Sequence, residues 1–286
     1  MKGEFMFNSM KIRYFLLSGF VFFIILFLGY FFILGKPQEG DSLFDIIFSY
    51  GLLGVFPFIW FSFHFKKQKY KISSVLHIKG IHKQLPTILV LICLLIAFSL
   101  GAYWLTNYML SFIFPDYVAE MLSEDVPMPS NNFQYILLGI NICLVGPIAE
   151  EFIFRGLLLK RLAKKTNIIA SAIITNLIFG LIHSDIIGAS MFGFILTLLF
   201  LKTDNLLVPI ISHILNNTIL MVLSIYLPDS PEFTNIMTIA DLHDKMAPNL
   251  TLLIVSTIML VIYIKINTKV LARKNQVKGI RSADLN

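Results

Sequence analysis

The sequence predicts an all-α integral membrane protein, a bundle of about eight transmembrane helices with both termini in the cytoplasm. Three observations carry that expectation. Hydrophobic residues make up 57% of the 286-residue chain and charged residues only 14%, with a mean hydropathy of +0.79; a soluble chain would carry roughly a quarter charged residues. The apolar residues are gathered into eight runs, most of them near the ~20 residues that a crossing requires. With eight spans and the N-terminus inside, 20 of the 23 Lys and Arg residues fall on the cytoplasmic side, Lys36 and Lys245 fall outside, and Arg155 alone lies within a span. That is the asymmetry of the positive-inside rule.

The first run, Tyr14 to Gly35, follows Lys2, Lys11 and Arg13. It is longer than the ~7–15 apolar residues of a signal peptide and no small-residue cleavage site follows, so it reads as a membrane helix. A second span runs from Leu43 to Phe65, with Asp45 solvated near its outer end. The lysine-rich stretch Lys66–Lys71 marks a cytoplasmic loop, and Ile72 to Gln84 mixes lysines with apolar residues as a short interfacial helix would. The third run, Leu85 to Phe114, exceeds one crossing and so is either tilted or extends beyond the membrane.

An acidic loop from Pro115 to Asn132, with Asp116, Glu120, Glu124 and Asp125, leads to the fourth span, Phe133 to Leu159. Spans five (Asn167 to His183) and six (Ile186 to Leu201) are joined by a very short turn at Ser184-Asp185. Span seven covers Leu206 to Leu227, a second acidic loop covers Pro228 to Pro248, and span eight (Asn249 to Ile266) enters a basic tail. The tail ends Ala283-Asp284-Leu285-Asn286, which is no prenylation signal. Residues 1–286 read as a single polytopic membrane domain without repeats. Cys93 and Cys143 lie in apolar runs and read as small buried hydrophobes rather than a disulfide or metal pair. The net charge of +6 reports which loops face the cytoplasm, and no nucleic-acid partner is expected.

Span four contains the feature hardest to reconcile with a passive scaffold. Glu150, Glu151 and Arg155 sit in an otherwise apolar run, and each ionisable group at membrane depth costs at least ~2.5–3.5 kcal/mol on insertion scales. Glu151 and Arg155 are four apart and share a helix face as an ion pair. Glu150 points ~100° away and is the carboxylate left to exchange a proton as a general base. Gly146-Pro147 just upstream should kink the helix and free backbone groups, as in the wall of a water-lined cavity. A purely structural Glu–Arg pair locking two helices would account for Glu151 and Arg155 but not for Glu150. On span five, Asn176, Phe179 and His183 share a face, and on span seven His213 and Asn217 project together, with Ser212 and Asn216 in a parallel row. Such rows also serve as hydrogen-bonding glue between helices. Their combination supplies the group types needed to activate water and stabilise an oxyanion.

The set Glu150-Glu151-x-x-x-Arg155, Phe179-x-x-x-His183 and His213-x-x-x-Asn217 resembles the motifs of the CPBP family (CAAX protease and bacteriocin-processing, or Abi, intramembrane proteases). The resemblance covers a core at 133–227, with none claimed for the first three spans. It implies an endopeptidase cutting a hydrophobic or membrane-associated peptide within or beside the bilayer: a CAAX-type protein, a pheromone or bacteriocin precursor, or a target of self-immunity. On that analogy Glu150 and His183 activate the attacking water, His213 and Asn217 support the oxyanion, and Glu151, Arg155 and Phe179 support the site. The cofactor is left open. Glu150, His183 and His213 would be the ligands if the enzyme used zinc, whereas a glutamate-activated water needs no metal and no H-E-x-x-H helix is present. The skew to Lys, Phe, Ile and Asn hints at an AT-rich bacterial genome and hence a bacterial plasma membrane. Two other classes remain open. One is a non-enzymatic scaffold or immunity protein binding a peptide in the same cavity; the other is a proton-coupled transporter, which the lack of inverted repeats weakens.

One geometric tension accompanies this reading. At ~1.5 Å per residue, Glu150 lies roughly 15 Å in from Arg161 and His213 roughly 12 Å in from Asn205, whereas His183 lies about 27 Å from Lys165. For the three to meet, span five must tilt strongly or start well outside the membrane.

Overall fold

A computed structural model describes residues 7, 9–38, 40–123, 131–227 and 231–283, with 270–283 as helix backbone alone. Glu124 and Asp125 of the first acidic loop, Pro228 of the second, and the C-terminal Asp284–Asn286 lie outside the described residues. The regular structure is helical throughout: α1 (Ile12–Leu34), α2 (Ser42–Lys67), α3 (Leu85–Ser111), α4 (Pro115–Ser123), α5 (Asn132–Lys165), α6 (Ile168–Leu181), α7 (Ile186–Thr203), α8 (Leu207–Tyr226), α9 (Ile239–Asp244) and α10 (Met246–Ala283). Seven of these are long and apolar enough to cross a membrane, close to the expected eight. The exception is α6, the expected fifth span, which has only 14 residues, or ~21 Å of helix.

Side-chain caps set several boundaries by occupying the free N–H groups of the first turn. Asp41 accepts from the amides of Leu43 and Phe44 at the start of α2, Asn131 from Gln134 at α5, Asn167 from Ile169 and Ala170 at α6, and Asp185 from Gly188 at α7. Thr238 and Asp241 form a capping box on α9. Two expectations are corrected. The segment Ile72 to Gln84 is not an amphipathic helix but two 3-10 turns, Ile72–Ser74 and Ile81–Lys83, since Gly80 takes a left-handed conformation (φ 83°) that ends any regular helix between them. Cys93 is not buried: it lies on the exposed face of α3, while Cys143 is half-buried beside Met221.

The helices α3, α5, α6, α7, α8 and α10 form the packed core, joined by α2 through Phe56, Trp60, Phe61 and Phe65. α3 and α10 run against each other along much of their length, and Gly101 is what lets them approach, because a Cβ there would lie 2.7 Å from the Asn249 carbonyl oxygen. In contrast α1 is scarcely buried, and Leu16, Phe20, Phe32 and Ile33 on it are exposed, as befits a surface solvated by lipid. A smaller cluster of Trp104, Val118, Leu122, Ile236 and Leu242 covers one end of α3, where α4 and α9 dock.

The pair α6–α7 is a tight antiparallel hairpin whose tip, Ile182–Asp185, lies beside the middle of α3: the Asp185 carboxylate accepts from the Ser99 hydroxyl. Exposed Leu181, Ile182, Ile186 and Ile187 surround that tip. The hairpin therefore ends part-way up the bundle rather than at an outer surface, which is why a 14-residue α6 suffices.

Candidate active site

α5 is not a uniform α-helix. Its registers widen to π turns at Asn141–Val145 and Phe152–Leu158, and Glu150 and Glu151 stand between them. The first widening answers Pro147, whose ring would collide with the carbonyl four residues back in an α-helix. In the π register Gly146 donates to the Asn141 carbonyl, so the next carbonyl, Ile142, faces Pro147, which has no N–H. That carbonyl is taken by the side chain of Asn217 on α8, Nδ2 to O 2.9 Å. The freed backbone group expected near Gly146-Pro147 is thus present and already engaged. Asn217 in turn accepts from Asn216 Nδ2 at 3.1 Å.

Glu151 and Arg155 form the expected i,i+4 pair, Oε1 to Nη1 2.9 Å, with both side chains fully buried. The same Glu151 oxygen accepts from His213 Nδ1 at 2.9 Å, and the second Arg155 nitrogen, Nη2, donates to the Gly193 carbonyl at 3.0 Å. The guanidinium lies 4.8 Å from the centre of the Phe179 ring, a cation–π contact. Because a carboxylate oxygen already accepting from Arg155 can only accept, His213 carries its proton on Nδ1 and turns Nε2 toward Glu150, 3.9 Å from Oε2 and too long for a hydrogen bond.

Glu150 lines a cavity of about 350 Å³ together with His183, His213, Asn216 and Asn217. Ser99, Tyr103, Ser184 and Asp185 complete its polar lining, and Leu95, Leu100, Phe192 and Leu220 are among its apolar walls. Glu150 Oε2 is a buried oxygen with no hydrogen-bond partner. His183 Nδ1 donates to the Phe179 carbonyl at 2.7 Å, so Nε2 is the ring's remaining acceptor. Phe179 packs against both His183 and Phe154, with ring centroids 4.5 and 5.0 Å apart.

The depth tension resolves in favour of a helix pair that projects past the core. α5 continues to Lys165 rather than ending near Arg161, and α6 returns beside it: the Ser171 hydroxyl donates to the Leu159 carbonyl at 2.6 Å, and Phe179 meets Phe154 and Arg155. Continuing that register brings His183 level with Glu150, since both lie about equally far along the chain from the turn at Thr166-Asn167.

All seven expected site residues, Glu150, Glu151, Arg155, Phe179, His183, His213 and Asn217, therefore gather in one region. Sequence reasoning missed the role of His213 as a link between the two glutamates, the Gly193 carbonyl, and the Ser99–Asp185 contact at the hairpin tip. Asp185 carried a signal, as a carboxylate in a short turn between two apolar runs. Gly193, one glycine among several in α7, carried none. The set Glu150, His183 and His213 does not assemble as a metal site: among the described residues no three His, Cys, Asp or Glu side chains could hold a metal ion.

Fold and site together define a multi-pass helical membrane protein with polar side chains from three helices, α3, α5 and α8, and from the α6–α7 turn lining one cavity. Residues 132–219 match the family model described as Type II CAAX prenyl endopeptidase Rce1-like. The chain is 34% identical over 92 residues to YdiL of Bacillus subtilis, provisionally named a membrane peptidase, an alignment covering 31% of this chain and 38% of that one. It is 33% identical over 98 residues to the membrane-embedded CAAX protease MroQ of Staphylococcus aureus, covering 31% of this chain and 40% of that one. The chain thus spans about two fifths of the length of these curated relatives. No solved structure matches it significantly. Residues 132–219, which hold every motif residue, are thus similar to CAAX-type membrane peptidases over that region, and the chain is a multi-pass protein of a bacterial membrane.

Proposed function

We propose that this protein is an intramembrane endopeptidase in which Glu150, with His183, activates a water to cleave a hydrophobic or membrane-associated peptide. The observation that carries the reading is the contrast between adjacent carboxylates. Glu151 is bonded through Oε1 to Arg155 and His213 and lies outside the cavity lining, whereas Glu150 lines the cavity and no hydrogen bond to another described side chain engages it; each carboxylate keeps a buried Oε2 without a partner. A buried carboxylate without a partner is costly to keep unless a water or substrate group meets it.

In the proposed reaction a water lies between Glu150 and the free Nε2 of His183. Glu150 takes one of its protons as the oxygen attacks the scissile carbonyl carbon, and the carbonyl π electrons move to the oxygen. Collapse of the tetrahedral intermediate breaks the C–N bond, and the proton held by Glu150 passes to the leaving amine nitrogen. His213 can donate to the oxyanion only as an imidazolium, since Nδ1–H is committed to Glu151; Glu151 is placed to stabilise that cation. Asn217 keeps one amide hydrogen for the cavity after bonding Ile142. On this reading each step is carried by side chains and water, since a glutamate-activated water needs no metal.

The family match and the name of one relative support a CAAX-type substrate, with pheromone or bacteriocin precursors and self-immunity targets as the neighbouring candidates. The test compares wild type with Glu150→Gln in detergent against prenylated C-terminal peptides and leader-type peptides, with and without a zinc chelator. The expected result is cleavage by wild type, a loss of at least ~10²-fold in the variant, and no effect of the chelator. Chelator-sensitive cleavage would replace the water-only mechanism with a metal-assisted one. Tight retention of one peptide by both proteins, uncleaved, would replace the peptidase by a peptide-binding scaffold.

A further inference from the structure

His183 does not sit on a helix. α6 ends at Leu181 and α7 begins at Ile186, so the histidine stands in the short turn between them. Its ring is oriented by its own segment: Nδ1 donates to the Phe179 carbonyl at 2.7 Å, and the ring packs on that of Phe179. Those contacts set which way the ring faces, but not where the turn lies against α3 and α5. Apolar contact sets that poorly. Leu181, Ile182, Ile186 and Ile187 around the tip are exposed, and the attraction between apolar surfaces has no preferred direction.

A second residue of the turn supplies a directed bond. Asp185 Oδ1 accepts from the Gly188 amide at 2.9 Å and so caps α7, while Oδ2 accepts from the Ser99 hydroxyl of α3. Capping alone needs only a short side-chain acceptor, and Ser serves as well as Asp. Reaching α3 at the same time takes two terminal atoms. Glycines on both arms make room for the contact. A Cβ on Gly188 would overlap both Asp185 Oδ2 and the Ser99 hydroxyl. On the other arm, a Cβ on Gly180 would lie 2.5 Å from the Ile186 carbonyl oxygen, so the hairpin closes tightly up to its tip. Ser99, His183, Asp185 and Gly188 all line the cavity that holds Glu150. We propose that the Asp185–Ser99 bond fixes the turn against α3, which makes Asp185 a positioning residue for His183. Its effect on rate rests on the peptidase reading; its effect on the place of the turn does not.

The test reads position and rate separately. Position is the distance distribution, by electron paramagnetic resonance, between two nitroxides in a chain carrying Cys143→Ala. One label is on Cys93, exposed on α3, and the other on Leu181→Cys, exposed at the end of α6. Rate is kcat and KM, measured on unlabelled protein with a peptide that wild type cleaves. Ser99→Ala leaves the cap of α7 in place, and Asp185→Ser replaces it with one too short to reach α3. Both should broaden or shift the distribution and lower kcat by ~10²-fold, the cost of a ~1 Å misplacement, with KM unchanged. Asp185→Asn, whose amide oxygen and nitrogen can meet both partners, should restore the narrow distribution and most of kcat. An unchanged distribution in well-folded Ser99→Ala overturns the proposal. So does a broadened one at wild-type kcat, which would make the bond a tie for the fold alone. If wild type cleaves no peptide, the peptidase reading fails, and the distance arm still decides whether the bond fixes the turn that carries His183.

Discussion

Two cavities flank the same turn of α5, and their linings are opposite in character. On one side lies the 350 Å³ space that holds Glu150, His183 and His213. On the other lies a larger space of about 610 Å³, walled by Phe58, Phe61, Val145, Ile148, Ala149, Phe152, Leu207 and Ile210, without a charged residue. Consecutive residues turn ~100° on a helix, so Ile148 and Ala149 face the apolar space while Glu150 and Glu151 face away from it. The larger cavity opens between α2, α5 and α8, and in a bilayer such a volume accepts hydrocarbon without cost to polar groups. The smaller one is also open on one side but reaches into the packed core at Glu150 and His213, where each polar group must find a partner or serve as a reactant. Size therefore does not single out the cavity that gathers Glu150, His183 and His213; its ionisable lining does.

The sharpest way to break the polar side is to remove the cation at its base. Arg155→Met leaves Glu151 a fully buried carboxylate with only His213 beside it. Stripping one member from a buried pair costs ~3–5 kcal/mol. A drop of that size in denaturant unfolding of the detergent-solubilised protein is expected, together with loss of any peptidase activity through the freed His213. Unchanged stability would mean that Glu151 is held by other groups, and the distinction between an engaged and an idle carboxylate would collapse.

A smaller effect is expected at Gly193. A Cβ there would lie 2.6 Å from Asn176 Oδ1 and 3.3 Å from Arg155 Nη2. Gly193→Ala should displace the guanidinium from the Gly193 carbonyl and destabilise by ~1–3 kcal/mol, the usual range for overpacking. Asn176→Ala in the same chain removes the obstructing atom and should recover part of the loss, which a double-mutant cycle reads as coupling.

These two sites also show what was legible in the sequence and what was not. Glu151–Arg155 was legible because both partners sit on one helix at a spacing that fixes their geometry. Seven of the membrane helices were legible because hydropathy is summed over many residues and survives errors at the ends. The Gly193 carbonyl was not, because every residue has a carbonyl and only packing decides which one meets a guanidinium. The π turns left a trace only in Pro147, which shows that a register must give way without showing how. The depth of His183 stayed open in the sequence, between a tilted span and a projecting start, for a related reason. Arg161 looked like a membrane boundary by charge, yet α5 and α6 continue past that level as a pair, and only the contact of Ser171 with Leu159 reveals the register.

On the apolar side, α1 meets α2 through a tie that should respond to acid. The Tyr30 hydroxyl donates to Asp41 Oδ2 at 2.5 Å, and Asp41 also caps α2. That hydroxyl, then the Phe44 amide, hold the Asp41 carboxyl below its usual range. A depressed folded-state value means the stabilisation is complete above the unfolded carboxylate value of ~3.9 and disappears as pH falls through the folded value. The difference in melting temperature between wild type and Asp41→Ala should therefore be constant from neutral pH to about 4 and shrink below it. A difference independent of pH would show that the cap, rather than the carboxylate charge, carries the tie.

The least effect is expected from filling the apolar cavity itself. Ser62, whose side chain borders it, is exposed, so Ser62→Leu adds hydrocarbon where the walls are already hydrocarbon. Stability should change by no more than ~0.5 kcal/mol, as for other changes outside packed or bonded positions, and peptide turnover should equal that of wild type. The measurement is steady-state cleavage of whichever peptide wild type processes, with kcat and KM determined separately. A raised KM at unchanged kcat would mean that the apolar space holds part of the substrate, joining the two cavities into one binding surface across α5. A fall in kcat would be more damaging, because it would tie the reacting groups to a wall that none of them faces. Equal kinetic constants keep the division as it stands, with hydrocarbon on one face of the helix and proton transfer on the other.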